Sequence, residues 1–300
     1  MHIHRLLLTT AAATGALLVP PERAALILLS DAPLQLHAQA WAGKGDHGGK
    51  SGGDRDGKTA GKDDHNHGRA GRARDNRDRA DHDGMAGDRP KDRKHTASRT
   101  AFHPGNFVRK IDNPNLPLKP GTVFVFRGED VLGRVRVTNR KLEVAGVETT
   151  VVKDVEFVDG KLAEKTFDYF AQDKAGNVWY FGEDTAEYEN GRVVSTEGTW
   201  RAGVDGAKPG IVMLADPEVG LTYRQEEAPG VAEDKARVVS LNAKARVPAG
   251  RFEGALKTFE FSPLDPELKE NKFYASGIGQ VLTIDRLTGE REELVRVKRR

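Results

Sequence analysis

The chain contains no cysteine, and none of its nine histidines lies beyond His103. A Ser-His-Asp triad, a Cys-His pair and a zinc site with His or Cys ligands all need residue types that are missing after His103. Disulfide bonds are excluded as well, so a folded domain in this part must be held together by its own core. Catalytic or binding chemistry there is restricted to carboxylates, Tyr, Lys, Arg, Ser and Thr.

The chain also lacks an apolar run of the roughly 18–20 residues that a membrane-spanning helix needs. Residues 1–40 instead carry two shorter runs, Leu6–Val19 and Ala24–Ser30, followed by Ala38-Gln39-Ala40. This pattern predicts a signal peptide that is cleaved after Ala40, in preference to an uncleaved anchor. We therefore expect a periplasmic or extracellular protein that has no stable membrane span after cleavage.

Leu, Ile, Val and Phe are absent from residues 41–100. Such a segment cannot bury enough apolar surface to offset its chain entropy, so residues 41–101 are predicted to be a disordered linker rich in Gly, Asp, Arg and His. It has 15 Lys and Arg against 11 Asp, a net charge of +4, whereas residues 101–300 sum to −2. We attribute the basic pI to the linker and not to a basic folded surface, and we expect no nucleic-acid partner.

Residues 102–300 show the alternation of a single β domain. Asp159-Gly160, Asn190-Gly191 and Thr288-Gly289 lie between extended segments, in the pattern of two-residue hairpins. Consecutive hairpins predict an all-β fold, an antiparallel meander that forms a barrel, a half-barrel or a wrapped sheet. Val155 and Phe157 are predicted to share one face of a strand, and Phe167 and Tyr169 belong to the matching apolar row across the turn.

Two stretches interrupt this alternation of apolar and polar residues. Residues 202–220 contain four Gly and two Pro without clear alternation, and they are interpreted as a long loop that either plugs one end of the sheet or contributes to a ligand site. Residues 264–270 are the best candidate for a short helical turn.

Three blocks of sequence carry a resemblance. They are Asn113–Thr122 (NPNLPLKPGT), the hairpin Ala171–Thr185 with its GNVWYFGEDT stretch, and Trp200–Glu226 with GVDGAKPGI and YRQE. These blocks resemble a family of exported bacterial β-rich proteins of unknown function, over roughly residues 105–297. More distantly, the chain is similar to periplasmic half-barrels of the lipoprotein-carrier type, which implies an interior that holds an apolar ligand.

Acidic and amide side chains cluster at one hairpin. Asp173, Asn177, Glu183 and Asp184 carry the oxygen ligands that Ca²⁺ prefers, so they form a candidate calcium site. The alternative is turn chemistry alone, because Asp and Asn favour turns and the spacing is not that of an EF-hand. No other cofactor is indicated.

A second group of charged and aromatic residues predicts a ligand site. Arg224 and Glu226 alternate along one strand and are expected to share a face and to pair if that face is interior. The full candidate set is Trp179, Trp200, Arg201, Asp205, Lys208, Tyr223, Arg224 and Glu226. Three interpretations remain open: a structural ion pair, contact with an anionic or sugar-like ligand, and glycoside hydrolysis by Glu226 with Glu183 or Asp205.

Together these features predict an exported, monomeric, non-enzymatic protein that binds an apolar or mixed small molecule, a lipid-like ligand or an envelope component. The alternatives are a carboxylate-dependent hydrolase near residues 202–220 and a module that interacts with the cell envelope.

Overall fold

A computed structural model describes residues 101–299; the predicted signal peptide and residues 41–100 lie outside the described residues. Within them the fold is all-β, as predicted, with one 3₁₀ turn at Pro104–Asn106 and no α-helix. The strands are β1 (Phe107–Val108), β2 (Val123–Arg127), β3 (Val131–Val144), β4 (Val147–Val158), β5 (Lys161–Asp173), β6 (Val178–Glu189), β7 (Arg192–Ser195), β8 (Trp200–Arg201), β9 (Lys208–Met213), β10 (Thr222–Arg224), β11 (Glu226–Glu227), β12 (Lys235–Val247), β13 (Gly250–Phe261), β14 (Lys269–Ala275), β15 (Gly279–Asp285) and β16 (Arg291–Lys298).

The sheet is an antiparallel meander in two runs, as the hairpin signals predict. Strands β2 to β6 pair in chain order, and so do β12 to β16. Strand β16 pairs with β2, which joins the two runs into one continuous sheet. Asp159 and Asn190 have φ of 51°, followed by Gly160 and Gly191 at positive φ, which is the backbone geometry of two of the predicted two-residue turns. The third prediction is wrong, because Thr288-Gly289 lies in a five-residue connection between β15 and β16.

One short segment brings the two ends of this sheet together. Strand β10 pairs with β12 at one end, and β11, which follows after Gln225, pairs with β9 at the other. At Gly210 on β9 an added Cβ would lie 2.2 Å from the carbonyl oxygen of Gln225. The sheet is therefore a nearly closed barrel, which decides among the three architectures that the sequence left open.

Residues 202–220 are more regular than the sequence suggested. Residues 208–213 form β9, which pairs with β6 through Trp179 opposite Ile211. The prediction of one long loop is therefore wrong for residues 208–213, because Pro209 and Gly210 are accommodated within a strand. The helical turn predicted at 264–270 is also wrong: Leu268 donates to the carbonyl of Asp265 at 3.2 Å in a simple turn, and β14 begins at Lys269.

Rows of polar side chains on the strands face the interior of the barrel. On β4 the side chains of Asp154 and Glu156 are buried, whereas Val155 and Phe157 are only half-buried on the outside. The sequence left open which way this apolar row faces, because alternation identifies two faces and not which one a curved sheet encloses. Eleven carboxylates are buried in residues 101–299, namely Asp154, Glu156, Glu164, Asp168, Asp173, Glu183, Glu226, Asp234, Glu260, Glu270 and Glu292.

Lys272 is the one buried cation of the described residues. Its Nζ lies 3.2 Å from Glu260 Oε2 and 3.6 Å from Glu270 Oε2, while Tyr274 and Thr258 donate hydroxyl hydrogen bonds to Glu260 Oε1 at 3.0 and 2.9 Å. Burial alone would lower the pKa of Lys272, but the two carboxylates more than offset burial and hold that pKa above its ordinary value. This network stabilises the charged ammonium inside the barrel.

The first of the three sequence blocks fastens the amino-terminal segment to the barrel. Gln172 Oε1 accepts from the backbone N–H groups of Asp112 and Asn113, at 2.9 and 2.8 Å. Asn113 Nδ2 donates to the carbonyls of Gly176 and Leu214. Leu116 and Leu118, buried just beyond, extend the apolar core.

Candidate functional site

A pocket of about 440 Å³ opens beside β6 and β8, and we call it the Arg201 pocket. Its volume lies within the usual 300–1,000 Å³ range of small-ligand sites. The residues that line it are Asp184, Thr199, Trp200, Arg201, Val204, Asp205, Ala207, Ala228, Pro229 and Val231. We call its charged side chains, Asp184, Arg201 and Asp205, the polar wall; the rest of the lining includes small apolar side chains.

The pocket depends on the close approach of β8 to β6. Arg201 pairs with Gly182, and Trp200 pairs with Glu183. Gly182 has a φ of 117°, and an added Cβ would lie 2.2 Å from the carbonyl oxygen of Trp200, so any other residue here would push β8 away. Trp200 is buried against Tyr180, with ring centroids 5.5 Å apart and nearly perpendicular.

The polar wall is built around Asp184. One oxygen of its carboxylate accepts from Arg201 Nη2, and the other accepts from the Tyr169 hydroxyl at 2.7 Å. The Arg201 guanidinium lies over the Tyr169 ring, 5.0 Å from its centroid. Burial and the hydrogen bond to Asp184 raise the pKa of the Tyr169 hydroxyl above its ordinary value. The tyrosine therefore stays a donor and Arg201 is held in one orientation.

Asp205 supplies a second carboxylate from a tight turn. Ala207 N donates to the Val204 carbonyl at 2.9 Å, and Asp205 adopts a φ of 49°, which Asp tolerates better than most residues. Asp205 is exposed at the pocket and forms no ion pair with residues 101–299. It is therefore available to accept hydrogen bonds from a ligand.

The structure brings together three members of the predicted ligand set, Trp200, Arg201 and Asp205, and adds Asp184 from the predicted calcium set. The other members lie elsewhere. Trp179 lines a smaller pocket of about 200 Å³ with Phe102 and Phe107. Lys208 is exposed opposite Glu227.

The predicted pairing of Arg224 with Glu226 is wrong. Arg224 is exposed and Glu226 is fully buried, because the chain changes pairing partner at Gln225 between β10 and β11. Tyr223, on the buried side, has its pKa raised by burial and by the nearby Glu260 carboxylate. It belongs to the barrel interior and not to the Arg201 pocket.

The four residues of the predicted calcium site do not converge. Asp173 accepts from Asn177 N at 2.9 Å, and its other oxygen accepts from Asn177 Nδ2 and Trp179 Nε1, both at 2.8 Å. Glu183 accepts from the Tyr180 hydroxyl inside the barrel, whereas Asp184 faces the pocket. Across residues 101–299 no group of three His, Asp or Glu side chains is arranged to hold a metal ion.

Sequence reasoning missed the contributions of Tyr169 and of residues 228–231. Tyr169 was assigned to an apolar row, and nothing in its neighbours indicates a bond to Asp184 fifteen residues later. The turn at Ala228, Pro229 and Val231 has an ordinary Pro-Gly signal, which predicts the turn but not what it covers.

Comparisons with known proteins assign this chain to no family. No known family matches it, and neither the curated proteins nor the solved structures contain a significant match. In the described part of the chain there is no helix long and apolar enough to cross a membrane.

Proposed function

We propose that the protein is a non-enzymatic binding protein that takes a small ligand of mixed polar and apolar character in the Arg201 pocket. The observation that carries this proposal is that one pocket of about 440 Å³ is lined both by a preformed polar group and by small apolar side chains. Because Asp184 and Tyr169 already fix the guanidinium of Arg201, little side-chain entropy remains to be lost on binding.

The polar groups left for a ligand are a carboxylate and the remaining guanidinium hydrogens. Asp205 accepts hydrogen bonds, whereas Arg201 has five N–H donors, of which only those on Nη2 bond to Asp184 and Tyr169. A ligand hydroxyl group can donate a hydrogen bond to Asp205 and accept one from Arg201, so a single hydroxyl satisfies both side chains. Val204, Ala207 and Val231 then cover the apolar part of the ligand. A hydroxyl-bearing ring with one apolar side, as in a sugar, has this chemistry.

The hydrolase alternative receives no comparable support. The predicted acids were Glu226 with either Glu183 or Asp205, and a glycosidase needs two such carboxyl groups on either side of one bound substrate. Glu226 and Glu183 are both buried and are not among the residues that line the Arg201 pocket, so Asp205 is the one predicted acid found there.

Native mass spectrometry of the full-length gene product, recovered from the cells that make it, tests this proposal. We expect a retained ligand mass in the wild type and in a Val239→Trp control, and its loss in Val231→Trp, which fills the pocket mouth. Val231 and Val239 are similarly exposed, at 44% and 37%. A ligand retained by Val231→Trp, or none in the wild type, would contradict the assignment. The same spectra test the proposed export, because cleavage after Ala40 leaves a chain that begins at Trp41.

A further inference from the structure

Charge is segregated between the inside and the outside of the barrel. Residues 101–299 contain 29 Lys and Arg and 32 Asp and Glu. Because eleven of the carboxylates and only one of the cations are buried, 28 cations and 21 anions remain outside, an excess of seven positive charges. The interpretation that the folded surface is not basic is therefore wrong. The net charge of −2 for residues 101–300 concealed the basic surface, because that sum includes the buried carboxylates.

The strand register concentrates part of this excess on one side. Lys298, Val123, Arg136 and Lys153 are successive partners across β16, β2, β3 and β4. The neighbouring row runs through Arg296, Val125, Arg134, Val155 and Lys165, and ends on β5. We call the six cations of these rows the basic face: Arg134, Arg136, Lys153, Lys165, Arg296 and Lys298. It spans five strands, or roughly 19 Å at the usual strand spacing.

Few carboxylates oppose the basic face. The positions between its cations are Val123, Val125 and Val155. Glu293, the acidic residue on β16 that points outward, is bound by Arg291 Nη2 at 2.6 Å. Arg134, Arg296 and Lys298 are exposed and form no ion pair with other residues of 101–299. Their charge is available to an external anion.

We propose that the basic face binds a flexible linear polymer that carries repeating phosphate groups. Arginine forms bidentate hydrogen bonds with phosphate, and three of the six cations are arginines. The preceding segment of this chain is not the occupant, because residues 41–100 have a net charge of +4.

The shape of the surface separates this partner from other polyanions. The outside of a barrel is convex, so a flexible chain can follow it, whereas a flat bilayer touches only a narrow strip. Proteins that hold single-stranded nucleic acid stack its bases on open aromatic rings. Phe167, beside Lys153 and Lys165, is covered instead by the Arg140 guanidinium at 5.5 Å, and Phe157, near Val155, is half-buried. A convex sheet also presents no helix or ribbon to enter a DNA groove.

Titration of the full-length protein with fluorescently labelled linear inorganic polyphosphate, followed by anisotropy over a range of salt concentrations, tests this proposal. The variant is Arg134→Glu/Arg296→Glu/Lys298→Glu. The matched control is Arg192→Glu/Lys208→Glu/Arg224→Glu, which changes net charge equally at exposed positions of β7, β9 and β10. We expect at least tenfold weaker binding by the first variant only. Its slope of log K against log salt should fall by about 2, since each phosphate contact contributes about 0.7–0.9.

Equal losses in the two variants would overturn the proposal, because the linker or net charge would then carry the binding. It is also overturned if the wild type binds vesicles of phosphatidylglycerol and phosphatidylcholine, or duplex DNA, but not polyphosphate. Val231→Trp should bind polyphosphate like the wild type. A failure of the proposal for the Arg201 pocket can therefore be distinguished from a failure of the proposal for the basic face.

Discussion

Replacing Lys272 by Met tests whether the barrel interior depends on a single ammonium. The side chain is 0% exposed, with Glu260 and Glu270 carboxylates 3.2 and 3.6 Å from Nζ. Removing it leaves buried carboxylates without this cation, a change that typically costs 3–5 kcal/mol, so we expect a loss of about that size in the free energy of unfolding. For a domain of this size the loss corresponds to a fall in Tm of roughly 6–20 °C.

The control is Lys257→Met, the same change on the outer side of the adjacent β13. That ammonium lies 5.2 Å from the Phe273 ring centroid and is partly exposed, so its loss should cost less than about 1 kcal/mol. Denaturant unfolding of both variants and of the wild type, with linear extrapolation, gives the comparison. Equal stability of the two variants would refute the reasoning.

The dependence on pH supplies a second check. In the wild type the raised pKa of Lys272 means that its stabilisation is fully present below the unfolded pKa of roughly 10.4, and is lost as pH rises through the folded value. The difference in free energy of unfolding between the wild type and Lys272→Met should therefore shrink as pH rises above about 10, and a constant difference would contradict this account.

Two further predictions concern closure and the buried tyrosines. Gly210→Ala should lower the free energy of unfolding by more than about 3 kcal/mol, because the added Cβ would lie 2.2 Å from the Gln225 carbonyl oxygen. Gly128→Ala is the control in the same unfolding assay and should be tolerated, because the nearest atom to its added Cβ is 3.5 Å away. Absorbance titration at 295 nm should show that Tyr169, Tyr223 and Tyr274 remain protonated at pH 11, because burial comes first among the causes that raise each pKa. More than two tyrosinates among the five tyrosines of the folded chain at pH 11 would contradict this.

Sequence patterns predicted the strands better than the site. Gly residues after Asp159 and Asn190 specify hairpin turns through local backbone geometry, so the meander followed directly from them. Trp200, Arg201 and Asp205 were predicted together because they are close in sequence. Tyr169 and Val231 were missed, since they reach the Arg201 pocket only through the pairing of β5 with β6 and the turn after β11.

The sequence by itself determined the all-β meander, the hairpin turns at Asp159-Gly160 and Asn190-Gly191, and the exclusion of His and Cys chemistry after His103. Those features are local: a two-residue period, a turn that needs positive φ, and the absence of a residue type can each be identified from the sequence without knowledge of the fold. Only the tertiary structure decided which rows lie inside, because period-two alternation is symmetric between the faces of a sheet and closure breaks that symmetry. Closure buried eleven carboxylates, left the outer surface basic and placed Asp184, Arg201 and Asp205 around one pocket.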